Sequence, residues 1–214
     1  MWVTVLISEH HPLILGSASP RRRELLAALG ISHVVRAVDI DESPMQQEAA
    51  DKYVERIVRN KLTAVQRTVS AEGLAHAAIV VADTTVVVDQ EVLGKPIDVA
   101  DAVRLLTRIA GRDHQVLTRY AIALPGGGTS TERTVTSRVT IRAASADELS
   151  RYAASGEGLD KAGAYAVQGL GAFLVKAIAG SWSNVVGLPV CELVEDLGAL
   201  GVLGAFPRHS AASS

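Results

Sequence analysis

The chain has 214 residues, 48% of them apolar and 21% charged, enough hydrophobic content for one larger domain or two small lobes sharing a core. Its formal net charge of −2 excludes a general nucleic-acid or membrane-surface binder, so any anion must be gripped locally. Its one cysteine, Cys191, excludes an internal disulfide framework and a cysteine-based zinc site, and in the run Val190 to Val194 it is expected as a small core residue.

Residues Met1 to His11 lack the basic-then-apolar pattern of a signal peptide. No run approaches the roughly 20 apolar residues that span a bilayer, and a soluble, cytoplasmic protein is expected. Leu13 to Leu15 reads as a short buried strand ending at Gly16. A helix follows with Ser19 as N-cap, Pro20 at N1, Leu25, Leu26 and Leu29 as its apolar face and Gly30 as its stop. Ser43-Pro-Met-Gln46 reads as a capping box opening a second helix to about Arg67, with Ala49, Tyr53 and Ile57 spaced by four.

Ala78 to Val88 is almost continuously β-branched and reads as a central strand or strand pair. Asp98 caps a third helix that closes at Gly111. His114 to Leu124 and Thr131 to Ile141 read as two strands joined by a glycine-rich tip, the second alternating between Val135, Val139, Ile141 and Thr136, Arg138, Thr140. Ser145 and Glu148 form another capping box, for a helix to about Ala154, and Leu188-Pro189 precedes a last helix ending near Gly198. Interspersed strands and helices, with both crossovers and a hairpin, argue for an α/β fold with a mixed sheet. The Ser/Ala tail after Arg208 is expected to fray.

Chemistry concentrates at four places. Arg21, Arg22 and Arg23 occupy a helix's first turn, where cations oppose the macrodipole. With the Ser17 and Ser19 hydroxyls they make either a polyphosphate site or a solvated basic patch. Asp83, inside Ile79 to Val88, either turns into a cleft at a strand end, as metal ligand or general base, or marks a simple bend. Lys95, between Gly94 and Pro96, suits phosphate neutralisation or is an ordinary loop lysine. Asp41 and Glu42 either join Asp83 around a hard cation such as Mg²⁺ or complement the following helix. There is no P-loop, no complete dinucleotide fingerprint, no G-x-S-x-G elbow and no metal-spaced histidine motif. His10 and His11 are expected to be exposed.

Taken together, Gly16-Ser-Ala-Ser-Pro-Arg-Arg22, Asp39-Ile-Asp-Glu42, Ala82-Asp-Thr84 and Leu93-Gly-Lys-Pro96 resemble the successive signatures of the Maf nucleotide pyrophosphatases. The likeness continues through Gly156-Glu157, Asp160-Lys-Ala-Gly-Ala-Tyr165, Val167-Gln-Gly169 and Asn184-Val-Val-Gly-Leu-Pro189. It divides the chain into an extension over residues 1–12, a single domain over 13–200 and a tail over 201–214. The resemblance implies a mixed twisted sheet flanked by helices, with two lobes around a cleft, related to the inosine triphosphate pyrophosphatases and commonly a homodimer. It also implies divalent-metal-dependent release of pyrophosphate from a nucleoside triphosphate, with Mg²⁺ or Mn²⁺ as cofactor and neither nucleic acid nor membrane as partner.

By the same resemblance Asp83 is the proton acceptor, Glu42 helps Asp83 hold the metal, and Lys95, Arg22 and Lys61 neutralise phosphate charge, with Ser17 beside them. Arg21, Thr84 and Gln168 match the trio of the dTTP/UTP branch, where a neutral amide at Gln168 suits a pyrimidine edge. The branch acting on 7-methyl-GTP usually carries an acidic residue at that position. Two other readings stay open: 7-methyl-GTP hydrolysis, and a nucleotide-binding regulator of septum formation.

Overall fold

The computed structural model describes residues 5–207; the tail after Arg208 and the first four residues of the N-terminal extension lie outside them. Short β-branched segments make the parallel part of the sheet. β1 (Leu13–Leu15) pairs in parallel with both β2 (His33–Val35) and β3 (Ala78–Val88). The longer strands are antiparallel. β3 folds back as β4 (Glu91–Leu93) and pairs along its other edge with β5 (Asp113–Ala123). β5 turns into β6 (Thr129–Ile141), and β7 (Val175–Ala179) closes the edge. The result is one mixed seven-stranded sheet in the order β2-β1-β3-β5-β6-β7, with β4 on β3.

Three packed clusters divide the two lobes. On one face of the first lobe, α1 (Pro20–Ala28) and α6 (Val190–Ala199) place Leu26, Leu193 and Leu197 on Leu13, Leu15 and Val80. On the opposite face α2 (Ala50–Glu72) lays Val58, Leu62, Val65 and Val69 on Ile14, Ile79 and Val81. The second lobe packs α3 (Val99–Ile109) and α4 (Ala146–Ala154) against Val86, Val116 and Val139. α5 (Trp182–Val186) lies between the lobes, its fully buried Asn184 donating to Val116 O and Ser137 Oγ at 3.0 and 2.9 Å. Ile7, from the N-terminal segment, is buried with Val202 and Leu203 and donates its N–H to Val202 O at 2.8 Å.

Most expected elements are present, including the Asp98 cap and the Ser145–Glu148 capping box. Ser19 stands at the N-cap of α1, but its side chain makes no capping bond. The second helix differs most. It begins at Ala50 rather than at Ser43 and runs to Glu72, with Gly73 left-handed at φ 61° as its stop. Residues 43–49 fold back on it instead, because Glu48 is captured by Arg56 at 2.6 Å and Met45 N–H donates to Glu48 Oε2 at 3.1 Å.

Cys191 is exposed, not a core residue. Leu193 and Leu197 face inward on α6, and a position two residues from Leu193 is rotated about 200° to the far side. His10 is exposed and His11 half-buried. Among the described residues no helix is long and apolar enough to cross a membrane.

Gly16 ends β1 under steric compulsion. A Cβ there would lie 2.7 Å from both Val65 Cγ2 and Val81 Cγ1, two buried side chains stiff at χ1. Gly16→Ala is expected to cost about 1–3 kcal/mol by forcing α2 off the sheet, read as a lowered urea midpoint at unchanged m-value.

Candidate active site

A gap in the sheet makes the site. β1 accompanies β3 only to Val80, whose carbonyl accepts the Gly16 N–H at 2.8 Å. β4 joins the same edge only at Val86. Between them Ala82 to Thr85 have no strand neighbour on that side, while β5 continues opposite them without a break. A cleft of about 920 Å³ opens there, lined by the ends of β1 and α1, the 37–44 loop, α2, the Gly94–Lys95 turn and residues 160–168. Asp83 therefore sits at neither a strand end nor a bend; the strand runs through and its neighbours part. This is a crevice at a topological switch point, beyond the carboxyl end of β1.

Alternation along β3 sorts the side chains. Asp83 shares the face of Ile79 and Val81, which look onto α2. There Tyr53, Ile57 and Lys61 recur every four residues along one stripe of α2. Lys61 Nζ meets Asp83 Oδ1 at 2.7 Å and Glu42 Oε1 at 2.6 Å, and Asp83 is 8% exposed. The loop bearing Glu42 is held by the same helix: Tyr53 Oη donates to Glu42 O at 3.1 Å and Arg56 Nη2 to Ser43 O at 3.0 Å. The Arg56 hydrogen bonds hold the Glu48 carboxyl down at about 2. Burial opposes ionisation of Glu42, but Lys61, with Lys95 and Arg22 beyond it, outweighs this and keeps its carboxyl below the usual range. Asp41 instead accepts the Ser43 N–H at 2.9 Å and is exposed.

Thr84 shares the face of Val80 and Ala82, toward α1. The three arginines of α1 divide by helical rotation. Arg23 is exposed, and Arg21 lines the cleft, 3.3 Å from Asp160. Arg22 is buried. Its Nε donates to Gly187 O at 2.7 Å, its Nη1 to Ser17 Oγ and Ala82 O at 2.8 Å each, and its Nη2 to Thr84 Oγ1 at 3.1 Å. The guanidinium thus substitutes for the missing strand by capping the Ala82 carbonyl. Burial lowers its pKa, and Asp83 opposes that shift.

Lys95 and Gln168 line the same cleft, with Lys95 Nζ 3.9 Å from Glu42 Oε2. Ser17, Arg21, Arg22, Glu42, Lys61, Asp83, Thr84, Lys95 and Gln168 all border this one space, whereas Arg23 and Asp41, also candidates from the sequence, do not. Sequence reasoning left out Tyr53, Asp160, Lys161 and Tyr165, which line it too. Tyr53 was legible as a helix-stripe residue one step of the same spacing from Ile57.

Tyr165 is braced from behind by His114, whose Nε2 lies 2.7 Å from the phenol oxygen while Nδ1 has no partner. Burial pushes the His114 pKa down to about 4. The unfolded chain therefore takes up this proton first. Above pH 6.5 the group has no effect on stability, and between 6.5 and 4 it withdraws roughly 3 kcal/mol, at 1.36 kcal/mol per unit. His114→Gln is expected to lose this part of the acid-side fall in urea stability measured from pH 7 to 4.

A family model described as Maf-like protein matches residues 12–200. A dTTP/UTP pyrophosphatase of Myxococcus xanthus is 52% identical over 182 residues, 85% of this chain and 89% of that protein. Proteins of the same name from Hahella chejuensis and Geobacter sulfurreducens are 46% and 44% identical, each over 89% of this chain and over 92% and 97% of their own length. A solved structure, the Staphylococcus aureus Ham1 protein, is similar over 61% of this chain and 71% of that one at 11% identity, with a TM-score of 0.39. The order and spacing of motifs around the gap in β3, the matched family and these relatives agree: the chain belongs to the Maf family.

Proposed function

We propose that this protein hydrolyses nucleoside triphosphates, dTTP and UTP among them, to the monophosphate and pyrophosphate. The observation that carries the reading is a buried carboxylate, Asp83, facing a cleft bordered by Arg21, Arg22, Lys61, Lys95 and Lys161. Relatives named dTTP/UTP pyrophosphatase at 44–52% identity support the substrate class.

In this mechanism a water attacks the α-phosphorus, the new P–O bond forms as the bond to the β-phosphate oxygen breaks, and Asp83 takes the proton. Lys61 holds Oδ1 of Asp83, which orients Oδ2 toward the water. Lys95 and Arg21, with the free N–H groups at the start of α1, receive the charge gathering on the departing pyrophosphate. Arg22 contributes its positive charge while its N–H groups hold the floor of the cleft.

Glu42 and Asp83 fit a divalent cation such as Mg²⁺ or Mn²⁺, since both carboxylates already converge on one cationic centre, the Lys61 ammonium. Among the described residues no third histidine, cysteine or carboxylate completes such a cluster, which suits a hard ion that keeps water and phosphate oxygens as its other ligands. When bound, the ion would polarise the phosphate and neutralise part of its charge.

The test is pyrophosphate release from a panel of nucleoside triphosphates, with and without EDTA. Release from dTTP and UTP that EDTA abolishes is the expected result; nucleotide binding without turnover would replace the reading with that of a regulator. The family resemblance also carries the expectation of a cytoplasmic homodimer, which sedimentation equilibrium and cell fractionation check.

A further inference from the structure

Gln168, which the match to the dTTP/UTP branch sets against the base, stands on a short stretch with extended backbone (φ −103°, ψ 166°), just before the 3₁₀ turn Gly169–Leu174. Its side-chain amide bonds to no other described residue and borders the cleft. An amide that must discriminate between bases by hydrogen bonds needs a fixed backbone beneath it, because a shift of an ångström removes the discrimination. No regular ladder supplies that support here.

Two side chains supply it instead. Upstream of Gln168, the Ala166 N–H donates to Tyr152 Oη at 3.0 Å. Downstream, the Leu170 and Gly171 N–H groups donate to the two oxygens of Glu157 at 2.7 and 2.6 Å. The halves are joined, because Tyr152 Oη donates to Glu157 Oε2 at 2.9 Å. The chain is wrapped closely around this pair. Gly169 is left-handed at φ 66° and a Cβ on it would sit 2.2 Å from Glu157 Oε1; a Cβ on Gly171 would sit 2.4 Å from Tyr152 Oη. Tyr152 comes from the buried face of α4, anchored in the second lobe. Burial opposes the charge on Glu157, but the Gly171 N–H, the Tyr152 hydroxyl and the Leu170 N–H outweigh it and hold the carboxyl ionised.

We propose that Tyr152 and Glu157 are positioning residues for substrate choice, a linked hydroxyl–carboxylate clamp that fixes Gln168 against the base of the nucleotide. The inference rests on the proposed reading that Gln168 faces the base. Neither residue need touch the nucleotide; both act through backbone atoms on either side of position 168.

The experiment compares Gln168→Ala, Glu157→Gln, Tyr152→Phe and the double variant Glu157→Gln/Gln168→Ala. For each, kcat and KM are measured with dTTP, UTP and 7-methyl-GTP. Glu157→Gln keeps the shape but turns one acceptor into a donor facing a backbone N–H, which loses its partner. The expected result is a KM for dTTP and UTP raised about 5- to 10-fold, kcat within about twofold since Asp83 is untouched, and a pyrimidine preference reduced as in Gln168→Ala. In the double variant the preference should fall no further than in Gln168→Ala alone. Tyr152→Phe removes the Ala166 bond without altering charge and serves if Glu157→Gln does not fold. A folded Glu157→Gln or Tyr152→Phe with wild-type preference, while Gln168→Ala loses it, would overturn the clamp and leave the base reading standing. Preference unchanged in Gln168→Ala would overturn the base reading, and the clamp with it.

Discussion

Asp83→Asn is expected to fold normally and to lose about 10²- to 10⁴-fold in kcat, the range over which a positioned general base contributes. The amide oxygen can still accept from Lys61, as Asp83 Oδ1 does at 2.7 Å, so the packing of α2 on β3 survives. It cannot take a proton from water. Lys61 keeps Glu42 as a partner at 2.6 Å, so the substitution does not strand a buried cation. Steady-state pyrophosphate release beside a urea melt checks both halves; turnover within a few-fold of wild type would remove Asp83 from its role.

Arg22→Met should be the most destabilising single change at the cleft, by about 3 kcal/mol or more. It removes the N–H that reaches the Ala82 carbonyl at 2.8 Å and the one that reaches the Gly187 carbonyl at 2.7 Å, leaving the latter only the Thr84 hydroxyl at 3.4 Å, at roughly 1–3 kcal/mol for a buried group left unpaired. Arg22→Lys should recover only part of this. A single ammonium cannot reach Gly187 O, Ala82 O, Ser17 Oγ and Thr84 Oγ1 at once, whereas the planar guanidinium spreads its donors across all four. Urea denaturation separates the three forms. A stability loss below about 1 kcal/mol in Arg22→Met would show that the edge of β3 does not depend on this side chain.

That dependence also marks where sequence reading stopped. Three adjacent arginines at a helix start pointed to an anion site, but a run in sequence does not say which member turns inward. The 100° step per residue does, once the face packed by Leu26 is known. Asp83 stood out because an acid within a β-branched run has to be accommodated. Its actual surroundings depend on where β1 stops and β4 begins along β3, a non-local register that no local pattern encodes. β2, β4, β7 and α5 are three to five residues long, too short for any period to show.

The early start assigned to the second helix has a physical reason of its own. Ser43 to Gln46 carries capping-box residues, but Glu48 makes two bonds at 2.7 and 2.6 Å to Arg56, eight residues further on and inside α2. That pairing draws the segment across the helix rather than into it. The long-range bond prevails over the local motif.

The continuous pairing of β3 with β5, from Ile79 opposite Ala123 to Val87 opposite Gln115, governs how the cleft can breathe. Both lobes hang on this ladder, so a hinge between them would have to tear it apart, and its amides should be among the slowest in the molecule to exchange with solvent deuterium. The segment bearing Glu42 has no such ladder and is tethered through Tyr53 and Arg56. On the proposed activity, nucleotide entry and pyrophosphate exit are expected as motions of this segment against a rigid floor, and deuterium exchange confined to it would be their signature.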